Sequence, residues 1–289
     1  MRTYQHRGLP IMVRSHGAGR ASVIATALVH PHPVVIVYGS EVVDAAQRPG
    51  AVRWLTTWTL RRAQNIVVAT DAMFNPIEQL VPGSFRKTKV VPMPVAWDRF
   101  AQAVQRQGDP RPTIVSMRRI SPLYRVVEIV GATTQMSTIR VNLFRGVVDE
   151  TSAYLMATRE AAKDSRAQVE VLEQFFDVDG LIRQYSRADV AVSIPDHDQM
   201  SVGMLEAMAA GCIAVITDLP SYRFLHGLQH VFWVQSPAAG PDVERALGEA
   251  LELLQTTGKS QEARQERARL TRMAYESSFP AEQPTFGNS

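Results

Sequence analysis

ADVAVSIPDHDQMSVGMLEAMAAGCIAVITDLP, residues 188–220, reads as strand, loop, helix and strand. Val190, Val192 and Ile194 have the apolar character of a buried parallel strand. Ser201 can cap a helix through its hydroxyl, and Gly211 supplies a left-handed stop before the next strand. The loop therefore falls at the carboxyl end of a strand, where open α/β sheets bind ligands. A helix starting after Ser201 aims the amides of Val202, Gly203 and Met204, with the positive end of its dipole, into that crevice. Gly203 lets a ligand approach the backbone, and Glu206, just over one turn further in, offers two acceptor oxygens suited to a ribose diol. Read alone, the same pattern also fits a purely structural crossover.

Outward from this block, short β-branched runs alternate with stretches of helical period. Strands are predicted at Val34–Val37, Asn65–Ala69, Lys89–Val91, Thr113–Ser116, Val141–Phe144, Ala188–Ile194 and Ile213–Thr217. The alternation predicts an α/β chain with parallel sheets. QRQGDPRP, residues 105–112, is the best linker, which gives an expected division into residues 1–107, 108–260 and a terminal helix with a frayed tail over 261–289. The basic stretch QEARQERARLTRMAY, residues 261–275, reads as a solvated terminal helix, with membrane or partner docking as its second reading. Trp54 and Trp58, four residues apart, read as a packed helix face; with Tyr38 they are the other option, a sugar platform.

The chain has 289 residues, room for two domains, and 45% of them are hydrophobic against 20% charged, an ordinary globular balance. Lys and Arg number 31 and Asp and Glu 28, and no basic run is dense enough to argue for nucleic acid. The single cysteine, Cys212, cannot form an internal disulfide, and no charged segment followed by an apolar stretch opens the chain, so a cytoplasmic location is expected. Zinc spacing, a Walker loop, a Rossmann glycine fingerprint and a nucleophile elbow are absent.

The 188–220 block closely resembles the donor-site motif of family-four glycosyltransferases of the GT-B fold, in which an acidic residue and a glutamate stand eight positions apart before an LEAMA-type helix. Asp198 and Glu206 have that spacing, and DQMSVGMLEAMAAG looks like the variant with aspartate in the first place. VSMRRISPLYR, residues 115–125, resembles the strand and loop whose basic residues grip the donor diphosphate. Arg118 is the better match to its arginine and Arg119 the alternative; Arg125 stands where a lysine is usual. VVIVYGSEVV (34–43) resembles the strand ending in HGSD, with Tyr38 for the histidine, Gly39 kept and Glu41 for the aspartate. ATDAMFNPIEQL (69–80) and KVVPMPVAWDRF (89–100) resemble the segments that follow, and His16 in SHGAGR an upstream histidine–glycine loop.

The resemblance implies two Rossmann-like domains facing across a cleft, with the amino-terminal one incomplete, because a strand, a glycine-rich loop, a helix and further strands usually precede the segment resembling LPIMVRSHGAGR. It implies transfer of a sugar from a nucleotide diphosphate to the hydroxyl of a saccharide or lipid-linked acceptor, with retention and without a cofactor or metal. Arg118 and the amides after Ser201 would meet the diphosphate, Glu206 the ribose and Asp198 the sugar hydroxyls; His16, Tyr38 and Gly39 would lie on the acceptor side. Asp196 and Asp198 also spell a D-x-D, which in the other large glycosyltransferase fold holds a divalent metal. The rival expectations are a nucleotide-sugar epimerase of the same architecture and a split or inactive binding chain. A partner chain is expected to supply the missing acceptor-domain segment and cover the exposed sheet edge.

Overall fold

The computed structural model describes residues 12–14, 28, 33–47, 49–102 and 110–280. His16 and most of the expected linker lie outside the described residues. Contacts divide the chain into two units, one running through Met93 and including His197–Met200, the other comprising Pro94–Asp196 and Ser201–Ala281.

In the first unit, β1 (Met12–Arg14), β2 (Val34–Ile36), β3 (Asn65–Val68) and β4 (Thr88–Val90) form a parallel sheet in the order β1-β2-β3-β4. Helices α1 (Ser40–Gln47), α2 (Ala51–Arg62) and α3 (Phe74–Leu80) connect them. Val35, Val37, Ile66 and Val68 pack with Val42, Leu60, Ile77 and Leu80 as its core. The Lys87 ammonium donates to the carbonyls of Leu60, Arg61 and Ala63 at 2.8–2.9 Å and so caps the negative end of α2. The tryptophan pair is not the packed face of α2. Its buried residues are Thr56, Thr59 and Leu60, while Trp54 is 65% exposed and Trp58 lies under the Arg62 guanidinium. Thr56, Thr59 and Leu60 occupy a different i, i+3, i+4 stripe from 54 and 58, and the smaller side chains let α2 approach the sheet.

The second unit opens on α4 (Trp97–Gln102) and then alternates: β5 (Thr113–Ser116), α5 (Val126–Thr133), β6 (Arg140–Phe144), α6 (Ala153–Asp164), β7 (Gln168–Leu172), α7 (Val178–Arg187) and β8 (Val190–Ser193). It continues with α8 (Val202–Ala209), β9 (Ile213–Thr217), β10 (Val231–Val234), α9 (Gly240–Thr257) and α10 (Gln261–Ser278). Its six strands are parallel in the order β10-β9-β8-β5-β6-β7. Every residue of β5, β8 and β9 is buried, as both faces of a parallel sheet are covered. Helix α9 places Val243, Ala246, Leu247, Ala250 and Leu254 on one stripe against the core formed by Ile114, Val192, Val215 and Leu143. Each large aliphatic side chain so buried contributes about 1.5–3 kcal/mol.

Two expected boundaries move. The division falls after Met93 rather than near residue 107, because α4 packs into the second unit. Trp97 meets the edge of Tyr275 at 5.3 Å, and Phe100, fully buried, tilts on Tyr185 at 6.0 Å. Nor is α10 a separate solvated helix: Arg264 is 0% exposed and Arg267 6%. Among the described residues no helix is long and apolar enough to cross a membrane.

Candidate functional site

Strand β5 is hydrogen-bonded to β6 on one side and to β8 on the other, so the direction of winding reverses between β5 and β8. The two connections leaving these strands diverge to opposite faces and open a crevice at their carboxyl ends. Residues at and beyond the ends of β5 and β8, with one from α7, line a cavity of about 110 Å³ there, among them Met117, Arg118, Tyr185, Ser193, Ser201 and Gly203.

The helix beside it begins where the sequence predicts. Ser201 is the N-cap of α8, with extended backbone, and its hydroxyl accepts the Met204 amide at 3.2 Å. The Arg118 guanidinium donates to the same hydroxyl at 2.7 Å and stacks 4.1 Å above the Tyr124 ring. The Ser201 amide donates to the Tyr222 hydroxyl at 3.0 Å, which orients the cap from below. Met204 is thus satisfied by the cap, while the amides of Val202 and Gly203 have no intrahelical acceptor and keep the dipole's positive end. Fixed positive charge and two amides therefore converge on one opening.

Glu206 is half-buried one turn along α8. Burial pushes its carboxyl up to about 7, with no hydrogen bond or ion pair from the described residues to hold the charged form. Beside it, Tyr185 is buried in α7, and its phenol is raised by burial and then by the Glu206 charge. A methyl group at position 203 would stand 3.0 Å from the Tyr185 hydroxyl, a tight contact from which the phenol would have to shift by a few tenths of an ångström.

The other basic residues are placed differently. Arg119 is exposed and crosses the β6–α6 loop, where a side chain on Gly146, whose φ is +69°, would meet its Cβ at 2.9 Å. Arg125 is the one non-glycine residue with positive φ among the described residues (47°). Its guanidinium bonds to Asp196 and, at 3.1 Å, to Glu128, which raises its pKa. Asp196 is thereby engaged within the second unit, while Asp198 lies in the first, its carboxylate accepting the Gln199 amide at 2.9 Å. Tyr38 and Gly39 follow β2 in that first unit; the Tyr38 amide donates to Glu41 at 2.8 Å. The structure thus gathers Arg118, Ser201, Val202, Gly203, Met204 and Glu206 in one unit and Asp198, Tyr38 and Gly39 in the other.

Sequence reasoning did not single out Tyr185, Tyr222 or Ser193. Ser193, the last residue of β8, is 3% exposed, lines the cavity and has no hydrogen-bond partner for its hydroxyl among the described residues. Its place at a strand terminus was the available signal.

No protein-family model and no curated protein sequence matches the chain. Solved structures do. An α,α-trehalose-phosphate synthase from Burkholderia xenovorans, in complex with glucose-6-phosphate, superposes with a TM-score of 0.71 over 93% of this chain and 69% of that one, at 14% identity. This is the GT-B fold. A sucrose-phosphate synthase from Thermosynechococcus elongatus matches 92% of the chain and 66% of its own length, with a TM-score of 0.65 and 16% identity. HepE of Anabaena, solved with UDP and glucose, matches 91% and 73%, with a TM-score of 0.69 and 12% identity. Identity this low makes the GT-B likeness one of fold; the chemistry of the site rests on its own residues.

Proposed function

We propose that this chain is a glycosyltransferase that moves a sugar from a nucleoside diphosphate to an acceptor hydroxyl, with retention and without a metal. The observation that carries the reading is the amino end of α8 meeting Arg118 at the switch point, with Glu206 one turn behind. Breaking the bond between sugar and phosphate loads negative charge onto the departing diphosphate. Arg118 and the amides of Val202 and Gly203 offer preorganised positive groups to that charge. Glu206 accepts hydrogen bonds from the ribose, Asp198 orients the sugar hydroxyls, and Tyr38 and Gly39 face a saccharide or lipid-linked acceptor. The complex of the GT-B protein HepE with UDP and glucose supports a nucleotide donor of this class.

The test is calorimetric titration with UDP and GDP. Glu206→Ala is expected to weaken nucleoside diphosphate binding about tenfold or more, since a hydrogen bond to a charged group contributes about 1.5–3 kcal/mol. Because the ribose favours the charged carboxylate, wild-type affinity falls as pH drops through about 7, and Glu206→Gln flattens that dependence. Unchanged affinity in Glu206→Ala would remove the ribose assignment. Failure of the wild type to bind any nucleoside diphosphate would remove the function.

A further inference from the structure

Segment His197–Met200 belongs to the first unit, and Gln199 is what ties it there. This side chain is 2% exposed. Its Nε2 donates to the Val37 carbonyl at 3.0 Å and its Oε1 accepts the Ala69 amide. The Gln199 carbonyl in turn accepts the Thr70 hydroxyl at 3.4 Å. Val37 and Ala69 are the residues just past the ends of β2 and β3. One carboxamide thus supplies both an acceptor and a donor to backbone groups that the ladder no longer pairs. Packing alone does not call for that chemistry, because an apolar side chain of the same length would fill the space and leave both groups unsatisfied.

Two further facts join this anchor to Asp198 and Gly39, which lie in the same unit. Asp198 accepts the amide of Gln199 itself, so its carboxylate is set by the neighbour's backbone. Gly39, at φ +113°, has room for no side chain without crowding, since a Cβ there would lie 3.2 Å from the Gln199 Cβ. The Tyr38–Gly39 turn is therefore shaped around the same residue.

We infer that Gln199 is a positioning residue: its amide fixes Asp198 and the Tyr38–Gly39 turn together, and so governs turnover of the sugar rather than capture of the nucleotide. The inference rests on the proposed transfer reaction. It is tested in the full chain with Gln199→Ala and Gln199→Glu. UDP and GDP binding is measured by calorimetry, and turnover as nucleoside diphosphate release from UDP-glucose, GDP-mannose and ADP-glucose, with water taking the glycosyl group in the acceptor's place. Hydrogen exchange at Ala69 is followed in parallel.

Gln199→Ala is expected to lower turnover at least about tenfold while nucleoside diphosphate affinity stays within about twofold, and to speed exchange at Ala69. Gln199→Glu keeps the shape but puts a carboxyl oxygen in place of the amide nitrogen, so it donates to Val37 only when protonated. Its turnover, taken relative to wild type at each pH, is expected to recover as pH falls towards about 5, which a merely space-filling role would not produce. Turnover equal to wild type in Gln199→Ala, or affinity and turnover falling together, overturns the inference. Unaltered exchange at Ala69 in Gln199→Ala overturns the anchor itself. Absence of turnover by the wild type on all three donors defeats the transferase reading and, with it, the role in turnover.

Discussion

Arg264→Ala is expected to destabilise the protein by about 3–5 kcal/mol, the usual cost of removing one partner from a buried charged network. Arg264 is fully buried in α10 and reaches three backbone carbonyls. Nη1 donates to Ala188 at 2.6 Å, and Nη2 donates to Tyr185 at 3.1 Å and Ala210 at 2.7 Å. These carbonyls end α7 and α8, the two helices that bring Tyr185 and Glu206 to the crevice. A planar, permanently charged fork caps both negative helix ends at once, its two terminal nitrogens held apart in a fixed geometry. The approach is close enough to dictate the residue opposite. A Cβ on Gly211, whose φ is +80°, would lie 2.6 Å from the Arg264 carbonyl oxygen. Urea unfolding checks the prediction: the midpoint of Arg264→Ala should fall at unchanged slope, with Arg264→Lys recovering only part of the loss. A midpoint matching wild type would mean that α10 is held by its apolar contacts alone.

Glu206→Gln is expected to act in the opposite direction and to stabilise the ligand-free protein, by on the order of 2 kcal/mol at about pH 8 after allowance for its partial exposure. The sign follows from burial pushing the carboxyl up to about 7 when folded, against 4.5 for an ordinary glutamate carboxyl. Between these two values the folded chain holds a proton that the unfolded chain has released, so wild-type stability falls as pH rises through that window. Above it the whole burial penalty is present, and below it none remains. Glutamine has the same shape without the titration, so the melting temperatures of variant and wild type should converge near pH 4 and separate by about pH 8. A variant more stable alone yet poorer in nucleoside diphosphate binding is the signature of a group kept for its ligand rather than for the fold. Equal melting temperatures at both pH values would show that Glu206 is solvated, and would remove the burial argument.

Much of the fold was legible because local chemistry and global placement agree. The cap at Ser201, the left-handed Gly211 and the buried strands on either side are demands of short-range backbone geometry, visible in any sequence that meets them. Strands β1, β7 and β10 were not among the predicted ones. QVEVL alternates because β7 is an edge with one face towards solvent, and VFWV is only partly covered, so neither shows the continuous apolar run of the central strands.

By itself, the sequence determined the α/β alternation, the crevice-facing helix with Arg118 and Glu206 as the polar candidates beside it, and that Cys212 has no second cysteine among these 289 residues to pair with. Only the tertiary structure decided which basic residues stand ready. Arg118 reaches the helix cap, Arg125 is taken by Asp196 and Glu128, and Arg264 and Arg267 lie inside although they sit in a stretch that looks like a charged surface. The reason is that a guanidinium's role is set by the acceptors around it, and Ser201, Asp196, Ala188, Tyr185, Ala210 and Gly211 accept from arginines 54 to 83 positions away in the chain. Periodicity reports which face of a helix is apolar; it carries no information about where another helix ends and leaves its carbonyls to be met.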